Sequence, residues 1–149
     1  MISQLTTAQA QQYVLDDPVR THLSAEYRTT EGRQMWALYE DKYAQYDEVL
    51  TDTPLAIICV AYCDRIPTCE EDLKHTGTEV AVFYTVWSYS KGAGRTIVNQ
   101  TADRIKQTHN PQQFVTLSPN TEMAERFHLS NGAEFLARYD NCQNFEYHL

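Results

Sequence analysis

Val80-Ala81-Val82-Phe83-Tyr84-Thr85-Val86-Trp87-Ser88-Tyr89-Ser90-Lys91-Gly92-Ala93-Gly94-Arg95 is the stretch in which the chain changes its period. Up to Trp87 the residues are continuously apolar and rich in β-branched and aromatic types, the pattern of a strand covered on both faces. From Gly94 onward Ile97, Val98, Ala102 and Ile105 fall at helical spacing, which leaves Arg104, Lys106 and Gln107 pointing outward. The junction Lys91-Gly92-Ala93-Gly94-Arg95 lies between the two. Its glycines let backbone approach a ligand closely, and the first N–H groups of a helix have no acceptor of their own. With Lys91 and Arg95 beside them, a pyrophosphate is the natural guest. A tight turn without a ligand is the alternative reading. The spacing lacks the third glycine of a dinucleotide fingerprint and the Gly-Lys-Ser/Thr of a P-loop.

Outward from this junction the elements alternate. Thr6 or Thr7 caps a first helix running to Leu15, ended by Asp17-Pro18. Residues 32–39 and 55–62 are patterned as strands, and the acidic, tyrosine-rich residues 40–52 as a long connection. Residues 64–77 make a polar excursion with one helical turn at 70–74. After the helix at 94–108, Asn110-Pro111 is a stop. A short strand at 114–117 follows, then a helix at 122–129 closed at Asn131-Gly132 by a left-handed cap. Residues 133–139 and 144–148 are the last strands. This order predicts one α/β (α+β) domain over residues 1–149, a mixed, mostly antiparallel sheet with helices on both faces.

Formal charge is −8. Residues 1–80 hold fourteen acids against six Lys/Arg, and residues 81–149 six against six. A polyanion is therefore better received by the second half, while a nucleic-acid partner is disfavoured for want of a broad basic surface. The first residues have neither a basic nor an apolar leader pattern, and no apolar run approaches the roughly 20 residues of a membrane span. A soluble, cytoplasmic protein is expected. Cys59, Cys63, Cys69 and Cys142 form no C-x-x-C pair and read as buried free thiols, with no metal assigned.

The strand, the Gly92-Ala93-Gly94 junction and its helix resemble the coenzyme A-binding half of GNAT N-acetyltransferases, whose Gln/Arg-x-x-Gly-x-Gly/Ala pattern opens a helix after an apolar strand. Tyr89 stands where Gln or Arg is usual. The family's later Asn-x-x-Ala-x-x-Phe helix is matched by Asn120, Ala124, Phe127 and Gly132, with His128 in place of a tyrosine. The resemblance implies an acetyl-CoA or other acyl-CoA co-substrate held by Tyr84, Val86, Lys91, Gly92, Ala93, Gly94, Arg95 and Asn120. It also implies an unknown amine or protein acceptor, and Glu79 is the one acid near the strand that could act as base. A homo-oligomer is compatible with it.

Leu117-Ser118-Pro119 and Phe127-His128-Leu129-Ser130-Asn131-Gly132-Ala133 resemble the catalytic domain of malonyl-CoA decarboxylases, itself of GNAT fold. That likeness implies Ser118 and His128 as a catalytic pair, Ser118 donating to an enolate and His128 protonating carbon; in acyl transfer His128 would instead protonate the departing thiolate. Against this, Ser118 alone could cap a helix and His128 could be a core residue. The remaining histidines, His22 included, have no motif around them and read as surface. Three functions follow: an acyl-CoA-dependent N-acyltransferase, a decarboxylase-like lyase, and a catalytically degenerate module for protein binding, such as a bacteriophage accessory or virion protein.

Overall fold

The computed structural model describes residues 1–40 and 53–149; the expected connection at 40–52 lies, apart from Glu40, outside them. One sheet of seven strands organises the chain: β1 (Ile2–Gln4), β2 (Arg33–Leu38), β3 (Ala56–Cys63), β4 (Val80–Ser88), β5 (Gln113–Thr116), β6 (Glu134–Arg138) and β7 (Gln143–Tyr147), in the order β1-β2-β3-β4-β5-β7-β6. Every neighbouring pair is antiparallel except β4 with β5. Helices α1 (Thr7–Ala10), α2 (Ala25–Thr29), α3 (Ala93–Thr108) and α4 (Glu122–Ser130) complete it. None of these helices is long and apolar enough to cross a membrane.

The continuous apolar runs of β3 and β4 have a direct cause. Alternate residues of a strand point to opposite faces. Val80, Val82 and Tyr84 join Ala10, Tyr13, Ala25 and Leu73 in one core, whereas Ala81 and Phe83 join Ile97, Val98, Ala102 and Ile105 of α3 in the other. The first core is roofed by the N-terminal segments and the 64–77 excursion, the second by α3 and α4.

β4 and β5 pair only from Val80↔Gln113 to Phe83↔Thr116. One further bond, Leu117 N–H to Phe83 O at 3.1 Å, ends the ladder. On the other side of β4 the register slips: Cys59 faces Thr85 but Val60 faces Phe83, so Tyr84 is an extra residue. A bulge of this kind bends its strand. β4 therefore turns away from β5 at Tyr84, and residues 85–88 have β3 on one side only.

Three elements differ from the sequence expectation. The first helix is a short α1, closed by a capping box between Thr6 and Gln9 and followed by a 3₁₀ turn at Val14–Asp16. β1 and α2 were not expected, because three and five residues are too few to carry a period; α2 was signalled only by Ser24, whose Oγ accepts from Tyr27 N–H at 3.0 Å.

Loop 17–24 is held by a fully buried ion pair. Arg28 Nη1 meets Asp17 Oδ2 at 2.6 Å, both side chains being 0% exposed. Asp17 Oδ1 accepts from the N–H groups of Val19 and Arg20, and Arg28 Nη2 donates to Arg20 O at 2.6 Å. Removing one member strands the other charge. Arg28→Met should cost about 3–5 kcal/mol, read as a shift in the urea midpoint at pH 7.

Candidate functional site

The junction after β4 is built by two glycines for two reasons. Gly92, the residue capping α3, has φ +81°, and a Cβ there would touch nothing within 4 Å, so the backbone conformation alone calls for glycine. Gly94 is helical, but a Cβ on it would stand 3.0 Å from the ring of Phe127. Ala93 N–H is satisfied by Ser90 O at 3.2 Å and Thr96 N–H reaches Gly92 O at 3.5 Å. The N–H groups of Gly94 and Arg95 have no acceptor among the described residues. They open a 16-residue helix, whose aligned peptide dipoles add partial positive charge. Lys91 and Arg95 are exposed beside them and form no ion pair among the described residues. The junction thus presents unpaired donors and two cations at the end of the parted strand.

Tyr89 does not join those donors. Its hydroxyl donates to Asp16 Oδ2 at 2.6 Å and accepts from Trp87 Nε1 at 3.0 Å, which ties the loop to the N-terminal segment. Tyr84, expected to line the cofactor, has its ring buried in the first core beside Cys59 and Arg28. Its backbone at the bulge, not its ring, borders the opening. Val86 lies on the parted half of β4, opposite Ile58, against the α3 core.

Sequence reasoning missed what fills the apex of the parted strands. Arg20, only 5% exposed, donates from Nη1 to Tyr84 O and to Thr85 Oγ1, and from Nη2 to Leu117 O at 3.0 Å. It grips both strands where their own ladder stops. Its Nε donates to Glu70 Oε1 at 3.0 Å, and the other oxygen of Glu70 meets His22 Nε2 at 2.6 Å. The one available signal was Asp17-Pro18 ahead of Arg20, an Asx turn that presents the next residues.

Ser118 and His128 are not joined. Ser118 Oγ donates to Thr116 Oγ1 at 2.8 Å, and Thr116 Oγ1 also accepts from Phe145 N–H at 3.1 Å. His128 Nδ1 is 2.7 Å from Tyr147 Oη, and the ring stacks on Phe145 at 5.3 Å between centroids. Gln143 pairs with Ser118, while Tyr147 pairs with Phe114. Ser118 and His128 thus hydrogen-bond to different groups and share no bond. His128 is thereby a buried residue joining α4 to the sheet, and burial pushes its imidazole down to about 4. At neutral pH it is uncharged and holds no proton to deliver as an imidazolium.

Glu79 stands at the far end of β4 from the glycine junction, with its Oε2 accepting from Thr78 N–H at 3.1 Å. Five residues, roughly 17 Å of strand, separate it from Tyr84. Asn120 donates to Tyr139 O at 2.8 Å and pins the β6–β7 turn rather than facing the junction. Among the thiols Cys69 is exposed, contrary to expectation, while Cys59, Cys63 and Cys142 are buried. Burial raises Cys59 and Cys63 to about 11, so neither is a thiolate near neutrality. Among the described residues no three His, Cys, Asp or Glu side chains converge as metal ligands.

No family model and no curated protein matches the sequence. The fold has clear relatives among solved structures. A malonyl-CoA decarboxylase from Agrobacterium vitis superposes with TM-score 0.62 at 20% identity, over 80% of this chain and 33% of that one. A spermidine N-acetyltransferase from Vibrio cholerae gives 0.65 at 9% identity, over 99% and 92%. A Campylobacter jejuni N-acetyltransferase in complex with acetyl coenzyme A gives 0.62 at 8%, over 99% and 98%. The chain spans about a third of the length of the decarboxylases it matches. The fold is that of GNAT acetyltransferases, shared with the decarboxylase domain.

The depressed His128 has a consequence for stability. Between about 4 and its ordinary 6.5 the unfolded chain binds a proton that the folded one does not, so stability falls as pH is lowered through that window. Its contribution is about 3 kcal/mol. Urea midpoints at pH 7.5 and 4.5 should differ by that much more in the native protein than in His128→Gln.

Proposed function

We propose that the protein is an acyl-CoA-dependent N-acyltransferase acting on an amine. The observation that carries this reading is the coincidence of the bulge-driven parting of β4 from β5 with the unpaired N–H groups of Gly94 and Arg95 at the end of the same strand. A polyanionic pyrophosphate would be received by those groups with Lys91 and Arg95. An amide-bearing arm would lie along residues 85–88, whose open edge has backbone groups to offer an extended chain. The acyl carbon would then lie towards Arg20. There the amine nitrogen attacks the thioester carbonyl, the C–N bond forms, and the C–S bond breaks to release the thiolate. Related folds that act on spermidine or carry acetyl coenzyme A support the same substrate class.

A decarboxylase-like lyase is the second reading, favoured by the Phe127–Ala133 match. Packing offers another reason for that match: Phe127 seats on Gly94, Gly132 has φ +93°, and Ala133 is buried. The separate commitments of Ser118 and His128 weigh against the pair as a catalytic unit.

Coenzyme A at 100 times its Kd should stabilise the native state by about 2.7 kcal/mol, raising Tm by roughly 5–10 °C. Lys91→Gln and Arg95→Gln should each weaken binding roughly five- to tenfold. Absence of any shift would leave the protein-binding module. Release of acetyl-CoA from malonyl-CoA, abolished in Ser118→Ala, would instead establish the lyase.

A further inference from the structure

The Arg20–Glu70–His22 chain has a direction. At one end Arg20 is buried and spans the carbonyls of Tyr84 and Leu117 at the apex of the opening. At the other, the His22 side chain is 59% exposed, and Glu70, 35% exposed, links the two. Arg20 is positioned by the buried Asp17–Arg28 pair, and Glu70 sits on the 3₁₀ turn Glu70–Lys74 anchored by buried Leu73. The excursion carrying that turn is tied to β7 by Asn144 Nδ2 donating to Pro67 O at 3.1 Å. Three separate segments are therefore held so that an exposed imidazole is linked through Glu70 to the arginine that spans the parted strands.

Because Nε2 of His22 is engaged by the Glu70 carboxylate, the favoured neutral tautomer carries its proton on Nε2 and leaves Nδ1 with a lone pair. Nδ1 makes no hydrogen bond or ion pair among the described residues. A histidine oriented by a carboxylate, itself fixed by an arginine, has the arrangement of a general base.

We propose that His22 is the base of the acyl transfer, with Glu70 and Arg20 as positioning residues; this rests on the acyl-CoA reading above. As the neutral amine attacks the thioester carbonyl, the new C–N bond leaves a proton on nitrogen. Nδ1 of His22 accepts it, and the C–S electron pair leaves with the thiolate, which is protonated from solvent. Glu70→Gln should lower kcat while leaving acetyl-CoA binding within about twofold of the native protein.

The test follows acetyl-CoA binding by calorimetry and thiol release with spermidine and with n-butylamine. His22→Gln should bind acetyl-CoA within about twofold of the native protein and lose kcat by about 100-fold or more. Added imidazole should restore part of the activity to His22→Ala, which a purely structural role would not allow. His148→Gln, at an exposed site on β6–β7, should behave as the native protein. Native kcat in His22→Gln, or acetyl-CoA binding with transfer to neither amine, would overturn the assignment while leaving the acyl-CoA reading intact. Failure of the native protein to bind acetyl-CoA would overturn both.

Discussion

Tyr84 is one residue too many for the register between β3 and β4, and the geometry of the opening depends on that mismatch. A strand that carries an extra residue on one side cannot keep straight pairing with its neighbour on the other. The ladder to β5 therefore ends at Phe83 and Leu117, and two carbonyls, of Tyr84 and Leu117, are left facing a gap. Buried carbonyls need donors. Arg20 supplies them, at the expense of taking a guanidinium almost wholly out of water. That cost is offset by Glu70 on its Nε and by the four hydrogen bonds it makes in all.

The same region shows how a short motif can have several causes. Gly92 answers to a positive φ, Gly94 to the ring of Phe127, and the free N–H groups to the start of α3. The likeness at Phe127-His128-Leu129 and the glycine junction are thus a single packing contact seen from two helices. His128 belongs to that contact system too, through Tyr147 and Phe145, and its burial removes the charge that proton delivery would require.

Much of the framework was readable because periodicity is imposed by burial over many residues. β3, β4 and α3 follow this rule. β1 and α2 were not readable, since three or five residues exist as elements only through their partners. Among candidate site residues, Lys91–Arg95 lie at the end of the parted strand. Glu79 and Asn120 lay elsewhere because proximity in sequence to a strand or a turn says nothing of which end or which side a side chain serves. His22 and Glu70, separated by 48 residues and without a motif, could be joined only by the fold.

The sequence by itself determined the layered α/β class, the strand-to-helix junction with its glycines and two cations, and the asymmetry of charge between halves. These rest on local backbone chemistry and on hydrophobic period, which each segment carries alone. Only the tertiary structure decided that Ser118 and His128 share no hydrogen bond, that Arg20 closes the apex, and that His22 stands on Glu70. Such facts depend on strand register and on the approach of residues distant in the chain, and register is set by a single bulge whose presence no local pattern records.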